Sequence, residues 1–119
     1  MEDKNYQSFE DLLVWQEGIK LCLEVYSSMR DCRDFGLKDQ IQRSSVSVPS
    51  NVTEGFERQT DKKFVQYLFI AKGSCGELRT QLYLTTELGY LEKQKGTALI
   101  QRARKLSSML QNLIKVRRH

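Results

Sequence analysis

The residue types that carry out acid–base, nucleophilic and metal chemistry are sparse in this sequence and are not arranged for catalysis. The one histidine is His119, the last residue, so the sequence offers no histidine general base, no His-based triad and no HExxH zinc motif. Gly73-Ser74-Cys75-Gly76 looks like a phosphate loop, but it lacks the Gly-Lys-Ser/Thr ending and falls inside a helical pattern. We therefore expect no enzymatic activity, no metal, no cofactor and no small-molecule substrate.

Cysteine usage and hydropathy indicate the cellular compartment of the protein. The three cysteines are an odd number without CxxC spacing, which favours free, reduced thiols: they are Cys22, Cys32 and Cys75. The polar N-terminus, residues 1–5, is not followed by an apolar run of signal-peptide length. No stretch approaches the roughly 18 consecutive apolar residues that a membrane span needs. We expect a cytoplasmic protein without membrane association.

Charge is strongly segregated along the chain. Residues 1–34 hold eight acids and four bases, residues 35–94 seven acids and eight bases, and residues 95–119 seven bases and no acid, so the net charges are −4, +1 and +7 and sum to +4. The bases of interest in the last segment are Arg104, Lys105, Lys115, Arg117 and Arg118. They are candidates for nucleic-acid phosphates, or they complement a helix dipole and the acidic first segment. No aromatic residue interleaves them, as stacking on single-stranded bases would require.

The elements that position these residues are helices. Four segments with a hydrophobic period of 3.6 predict helices at roughly 11–31, 37–57, 61–88 and 94–117. The expected inward faces are Leu12, Trp15, Ile19, Cys22, Leu23, Tyr26 and Met29; then Leu37, Ile41, Ser45, Val48, Val52 and Gly55; then Phe64, Leu68, Ala71, Cys75, Leu78 and Leu82; and finally Leu99, Ala103, Leu106, Leu110 and Leu113, flanked by Ile114. Short connections predict an all-α, antiparallel, up-down-up-down four-helix bundle in one domain, residues 1–119.

Local signals mark the ends of the helices, and one residue breaks a local rule. Thr60 is a good N-cap for the third helix, and Gly89 lies where a C′ glycine would end it. Pro49 falls inside the second helical pattern, where it removes a backbone donor and clashes with the carbonyl of Ser45. We expect a continuous second helix that is kinked at Pro49; the alternative is two short helices broken at Val48.

The third helix carries apolar and small residues opposite its core stripe. They are Phe69, Ile70, Gly73, Gly76, Tyr83 and Leu84. A helix that is apolar almost all the way round is buried on more than one side, and glycines permit close backbone approach. We expect a subunit interface here; the alternative is a set of scattered exposed apolar groups.

The second helix carries an ordered polar stripe away from its core face. Its members are Arg43, Ser47, Asn51, Glu54 and Arg58. A solvated face is one interpretation, and a hydrogen-bonded seam toward another subunit or a ligand is the other. The sequence leaves both open.

Several motifs, spread over nearly the whole chain, resemble one known family. They are Leu12-Leu13-Val14-Trp15-Gln16, Gly36-Leu37-Lys38-Asp39-Gln40-Ile41, the run from Arg43 through Pro49 to Phe56, Ile70-Ala71-Lys72-Gly73-Ser74-Cys75-Gly76-Glu77-Leu78, and Leu88-Gly89-Tyr90-Leu91. The chain resembles the bacterial four-helix-bundle proteins encoded in intervening sequences of 23S ribosomal RNA genes. It is more distantly similar to the accessory proteins of diversity-generating retroelements, which are basic pentamers that partner a reverse transcriptase and nucleic acid.

The resemblance implies a second helix that continues through Pro49 and assembly into closed rings, expected to be pentamers. Together with the charge distribution, it leads us to expect a non-enzymatic homo-oligomer that binds structured RNA, such as ribosomal RNA, through the basic fourth helix. The alternative is a structural or scaffold oligomer that binds a protein partner and has no direct nucleic-acid role.

Overall fold

The computed structural model describes residues 6–118; the polar stretch 1–5 and His119 lie outside that range. The helices are α1 (Leu13–Ser28), α2 (Phe35–Phe56), α3 (Asp61–Glu87) and α4 (Lys93–Arg117), and a 3₁₀ turn (Phe9–Asp11) precedes them. Helices that follow one another in the chain pack together, and α1 closes the bundle against α4. The predicted all-α, antiparallel four-helix bundle is confirmed.

Side-chain caps and one glycine set the ends of the helices. Asp34 Oδ1 accepts a hydrogen bond from Leu37 N at 3.1 Å, so α2 begins at Phe35, two residues earlier than the sequence predicts. Thr60 Oγ1 accepts from Lys63 N at 3.2 Å at the start of α3, as predicted. Gly89, which follows the end of α3, has a φ of +86°, a conformation that favours glycine and confirms its predicted role.

The core of α2, α3 and α4 follows the predicted stripes. All six α3 residues expected inside are buried, from Phe64 to Leu82. On α4 the buried residues include Leu99, Ala103, Leu106 and Leu110, and Ile114 is buried more completely than Leu113. Regular period-3.6 spacing was therefore sufficient to find the inner faces of these three helices.

The predicted inner face of α1 is wrong in part. Leu23 and Tyr26 were expected in the core, but they are 65% and 43% exposed. The buried residues within α1 are instead Val14, Gly18, Leu21 and Val25. The physical reason is that α1 carries two apolar stripes and only one can face α2 and α4. The stripe that contains Gly18 packs against α2, where a Cβ placed on Gly18 would lie at an ordinary packing distance of 3.5 Å from the Pro49 ring, and the other stripe faces outward.

Helix α2 runs without a break through Pro49, so the continuous helix is the correct interpretation. Pro49 is buried on the side that faces α1. Near it, Ser45 Oγ donates to the carbonyl of Gln42 at 2.8 Å, and Asn51 Nδ2 donates to the carbonyl of Ser47 at 2.8 Å. The kink that proline is expected to introduce stays a prediction.

Gly96 permits the crossing of α3 and α4 near the loop that joins them. A Cβ at this position would lie 2.8 Å from Thr86 Cγ2 and would overlap the Thr86 hydroxyl. We expect Gly96→Ala to lower the free energy of unfolding by about 2 kcal/mol, since overpacking outweighs the better helix propensity of alanine. Urea unfolding followed by circular dichroism measures this change.

A second variant isolates the cause. Thr86→Gly removes every side-chain atom that the new methyl group would meet, including Thr86 Cβ at 2.9 Å, so the double variant with Gly96→Ala should recover part of the stability lost relative to Thr86→Gly alone. If Gly96→Ala stabilises the protein on its own, the crossing is looser than the structure indicates.

Candidate functional site

The Gly73-Ser74-Cys75-Gly76 segment lies in the middle of α3, and its two central side chains are used for packing. Ser74 Oγ lies 2.8 Å from Ser47 Oγ of α2. The Cys75 thiol donates to the carbonyl of Ala103 at 3.1 Å, and burial raises the pKa of Cys75 to about 11. A thiol that stays protonated at neutral pH is a poor nucleophile. These side chains therefore join α3 to α2 and α4 and do not form a reactive centre.

Within residues 6–118, no group of three or more His, Cys, Asp or Glu side chains is placed to hold a metal ion. Over the same residues, no helix is both long enough and apolar enough to cross a membrane.

The outward side of α3 presents the apolar residues that the sequence singled out. We call it the α3 apolar face: Phe69, Ile70, Gly73, Gly76, Tyr83 and Leu84. Its four large side chains are between 40% and 50% exposed. Each end of the face has one aromatic and one aliphatic side chain: Phe69 with Ile70 at one end, and Tyr83 with Leu84 at the other. The two pairs lie about 20 Å apart along the helix axis, and the two glycines lie between them. That this face is a subunit interface stays a prediction.

The two glycines of this face have no packing role within the described residues. Outside the backbone of α3 itself, no described atom lies within 4 Å of a Cβ built on Gly73 or Gly76. By contrast, a Cβ on Gly55 would lie 2.6 Å from Tyr67 Cβ. A glycine inside a helix costs about 1 kcal/mol relative to alanine. Gly73 and Gly76 therefore lower the stability of α3 relative to alanine, and no contact among residues 6–118 requires a glycine at either position.

Basic residues of α4 border the α3 apolar face. The Arg104 guanidinium donates to Tyr83 Oη at 3.1 Å, and the Arg118 guanidinium lies 5.4 Å from the centre of the Phe69 ring. The sequence of α4 has no aromatic residue among these bases, but Phe69 and Tyr83 of the neighbouring α3 contact two of its arginines. No pattern within α4 could have indicated this, because it depends on how α3 and α4 are aligned.

Lys105 and Lys115 are exposed on α4 as well. Lys115 follows Arg104 by about three helical turns, so the two point in similar directions. Lys105 lies further round the helix toward α1, where it borders a shallow depression with Glu17 and Arg102. Arg104, Lys105, Lys115 and Arg118 form what we call the α4 basic face. It is a broad band and not a compact cluster.

Arg117 is placed differently from the other four predicted bases. Its side chain is only 17% exposed, and its Nη1 lies 3.0 Å from Asp61 Oδ1. Its guanidinium also lies 4.9 Å from the centre of the Phe64 ring. Arg117 therefore joins the end of α4 to the start of α3, and the structure does not bring it onto the α4 basic face.

The polar stripe of α2 divides into two parts. Ser47 and Asn51 are half-buried and hydrogen-bonded to each other, and Ser47 reaches Ser74 of α3. The charged members are exposed and paired along the helix: Arg43 with Asp39 at 2.9 Å, and Arg58 with Glu54 at 2.7 Å. The hydrogen bond from Glu54 raises the pKa of Arg58. The inner part is a hydrogen-bonded seam between α2 and α3, and the outer part is exposed in the single chain.

An apolar region on the outer side of α1 was not expected from the sequence. Leu23 and Tyr26 are exposed there with the half-buried Ile19 between them, and the exposed Leu13 lies near the start of the helix, about 80° further round it from Leu23. We call this set the α1 apolar face. The available signal was a second stripe of small and branched residues, containing Gly18, that competes for the core.

Comparison with known proteins agrees with this architecture. A sequence model of the 23S rRNA-intervening sequence proteins matches residues 10–112. The chain belongs to that family. A search of functionally curated proteins finds no match. A similar fold occurs in the crystal structure of a protein of unknown function from the S23 ribosomal protein family of Bacteroides thetaiotaomicron, with a TM-score of 0.81 at 20% sequence identity, covering 87% of this chain and 99% of the other.

Membership of the 23S rRNA-intervening sequence protein family bears on the sequence-based expectations in two ways. The family match confirms the resemblance to the 23S rRNA-intervening sequence proteins but does not test the more distant similarity to retroelement accessory proteins, and the structural similarity independently supports the bundle fold. Neither the matched family nor the similar structure is described as an enzyme.

Proposed function

We propose that this protein is a non-enzymatic homo-oligomer that binds structured RNA through the α4 basic face and assembles through the α3 apolar face. The observation that carries the RNA-binding part is the charge of α4: residues 93–118 contain eight bases and no acid. Four of these bases form the α4 basic face. Such a band of unopposed positive charge suits the regularly spaced phosphates of nucleic acid.

The acids of neighbouring helices neutralise only part of this charge. Glu24 accepts a hydrogen bond from Lys95 at 2.9 Å, and Lys95 lowers the pKa of Glu24 through that bond and through its charge. Asp61 is paired with Arg117. These pairs lie at opposite ends of α4, so the middle of the helix keeps its excess of bases. Complementing the helix dipole explains only the bases in the last turn of α4 and does not explain the positive charge of Arg104 and Lys105.

Assembly would strengthen a surface that is weak in one subunit. A few phosphate contacts per subunit give modest, salt-sensitive affinity, whereas several linked copies bind a folded RNA with high effective concentration. The α3 apolar face supports assembly because Ile70 and Leu84 are about half exposed and the glycine strip is not filled by any described residue. We propose a closed ring, with five subunits as the number that the family resemblance favours.

The family description directs the choice of RNA. It names intervening sequences of 23S rRNA, and the similar solved protein is assigned to a ribosomal protein family. Structured ribosomal RNA is therefore the first ligand to test. The alternative is a scaffold that binds a protein, and one observation favours it: Arg104 and Arg118 already interact with Tyr83 and Phe69. These two bases could serve assembly alone.

Purification at low salt separates the two proposals. We expect the protein to carry nucleic acid that ribonuclease removes, that deoxyribonuclease leaves in place and that high salt releases, because phosphate contacts are screened by salt. The ratio of nucleic-acid to protein absorbance measures this. A preparation that is free of RNA at low salt from the start would contradict RNA binding and support the scaffold.

A further inference from the structure

The α1 apolar face needs an occupant that the single chain does not supply. Leu23 is 65% exposed and Leu13 is 61% exposed, more than any large side chain of the α3 apolar face. The inward side of α1 is already filled, since Val14, Leu21 and Val25 are buried there. A rotation that buried Leu23 would expose these residues, so the outward position of Leu23 is fixed by the fold.

The two apolar faces point in different directions. Helix α1 packs against α2 and α4, and within the described residues no Cα atom of α1 lies within 8 Å of one in α3. The two helices therefore lie across the bundle from each other, and their outer sides face apart. One neighbouring copy in a two-fold dimer would cover only one of these faces on each subunit. A head-to-tail contact, in which unlike faces meet, covers both.

We propose that the α3 apolar face of one copy docks on the α1 apolar face of the next copy. This inference rests on the assembly part of the proposed function and names the surface that completes it. The occupant is a second copy of this chain, and the contact is heterologous. Repeated from copy to copy, such a contact produces a ring when the rotation closes.

Charge complementarity favours this pairing. The α3 apolar face is bordered by Arg104 and Arg118 on α4, whose residues 93–118 carry a net charge of +8. The α1 side is acidic: residues 6–31 hold five acids and two bases, a net of −3, and of these acids Glu24 is already paired with Lys95 of α4. An antiparallel two-fold contact between two α3 faces would instead bring the basic border of each copy against that of the other. Like charges across an interface oppose association.

The shapes of the faces also differ in a complementary way. Gly73 and Gly76 leave a shallow strip between the two apolar pairs of α3. The exposed leucine side chains of α1 project from their helix, so Leu23 is the side chain that this strip suits. Close approach of this kind is what small residues at a helix interface allow.

The test mixes two variants that each keep one face intact. Phe69→Glu disables the α3 apolar face, and Leu23→Glu disables the α1 apolar face. Light scattering after size exclusion should give 13.9 kDa for each variant alone and about twice that mass for the equimolar mixture. Phe35→Glu is the matched control, since Phe35 is 69% exposed in the first turn of α2 and belongs to neither face. Circular dichroism establishes that each variant is folded.

Each other outcome overturns a distinct part of the account. If Leu23→Glu assembles like the wild type, the α1 apolar face is not the partner surface, while assembly through α3 stands. If both single variants are monomers and their mixture stays monomeric, the contact is not head-to-tail. If the wild type is itself a monomer, or if Phe69→Glu keeps the wild-type mass, the assembly part of the proposed function fails as well.

Discussion

The double variant Phe69→Glu with Leu84→Lys is expected to convert the assembled protein into monomers of 13.9 kDa. The two side chains lie at opposite ends of the α3 apolar face and are 40% and 49% exposed in the single chain. Each substitution removes apolar area from the proposed contact and places a charge there. Together they should weaken association by at least about 3 kcal/mol, or more than about 100-fold.

The same substitutions should leave the subunit folded. Both positions are half-exposed and outside the buried core, so the free energy of unfolding should change by less than about 1 kcal/mol. Light scattering measures the mass, and Phe35→Glu should keep the wild-type value. If the double variant retains the wild-type assembly, another face makes the contact.

Reversing three charges on the α4 basic face should cause a large loss of RNA affinity. We expect Arg104→Glu, Lys105→Glu and Lys115→Glu together to weaken the binding of structured ribosomal RNA by at least about 100-fold. The three side chains are exposed, and the substitutions replace phosphate contacts by repulsion. Fluorescence anisotropy of a labelled RNA measures the loss.

A charge-matched control shows whether position or net charge is responsible. Arg33→Glu, Lys62→Glu and Lys63→Glu change the net charge by the same amount at exposed positions outside α4. This control should lose much less affinity, because only general electrostatic attraction is reduced. Equal losses in both variants would mean that α4 is not the RNA-binding surface. Measuring the mass of both variants is necessary, because Arg104 also borders the α3 apolar face.

The sequence was a reliable guide wherever one apolar stripe dominated a helix. On α3 the buried residues Phe64, Leu68 and Ala71 follow a single period, and their positions were predicted correctly. The caps at Thr60 and Gly89 could also be read from residue type, since each depends on local backbone geometry.

Helix α1 shows where this reasoning fails. It contains two competing stripes, and the one with the larger side chains, including Leu23 and Tyr26, was assigned to the core. The stripe that contains Gly18 packs inside, where Gly18 faces Pro49 of α2. That contact depends on a partner helix, so the periodicity of α1 alone could not reveal it.

The sequence predicted which residues make up the α3 apolar face and most of the α4 basic face, but not how the two faces lie relative to each other. The sequence identified the α3 apolar residues and the α4 bases as separate sets. Their contact through Arg104 and Tyr83, and the inward position of Arg117, depend on how α3 and α4 are aligned in space. Side-chain partners across helices are tertiary information that residue spacing does not contain.

The salt dependence of RNA binding tests the central claim most directly. Affinity of the wild-type protein for a labelled structured ribosomal RNA should fall linearly on a logarithmic plot against salt concentration, with a slope of about −3 or steeper if four bases in a subunit neutralise phosphates. The triple α4 variant should bind weakly at low salt and show a much flatter slope. Absence of wild-type binding at low salt, or the same slope in both proteins, would contradict the account and leave the basic helix a role in assembly alone.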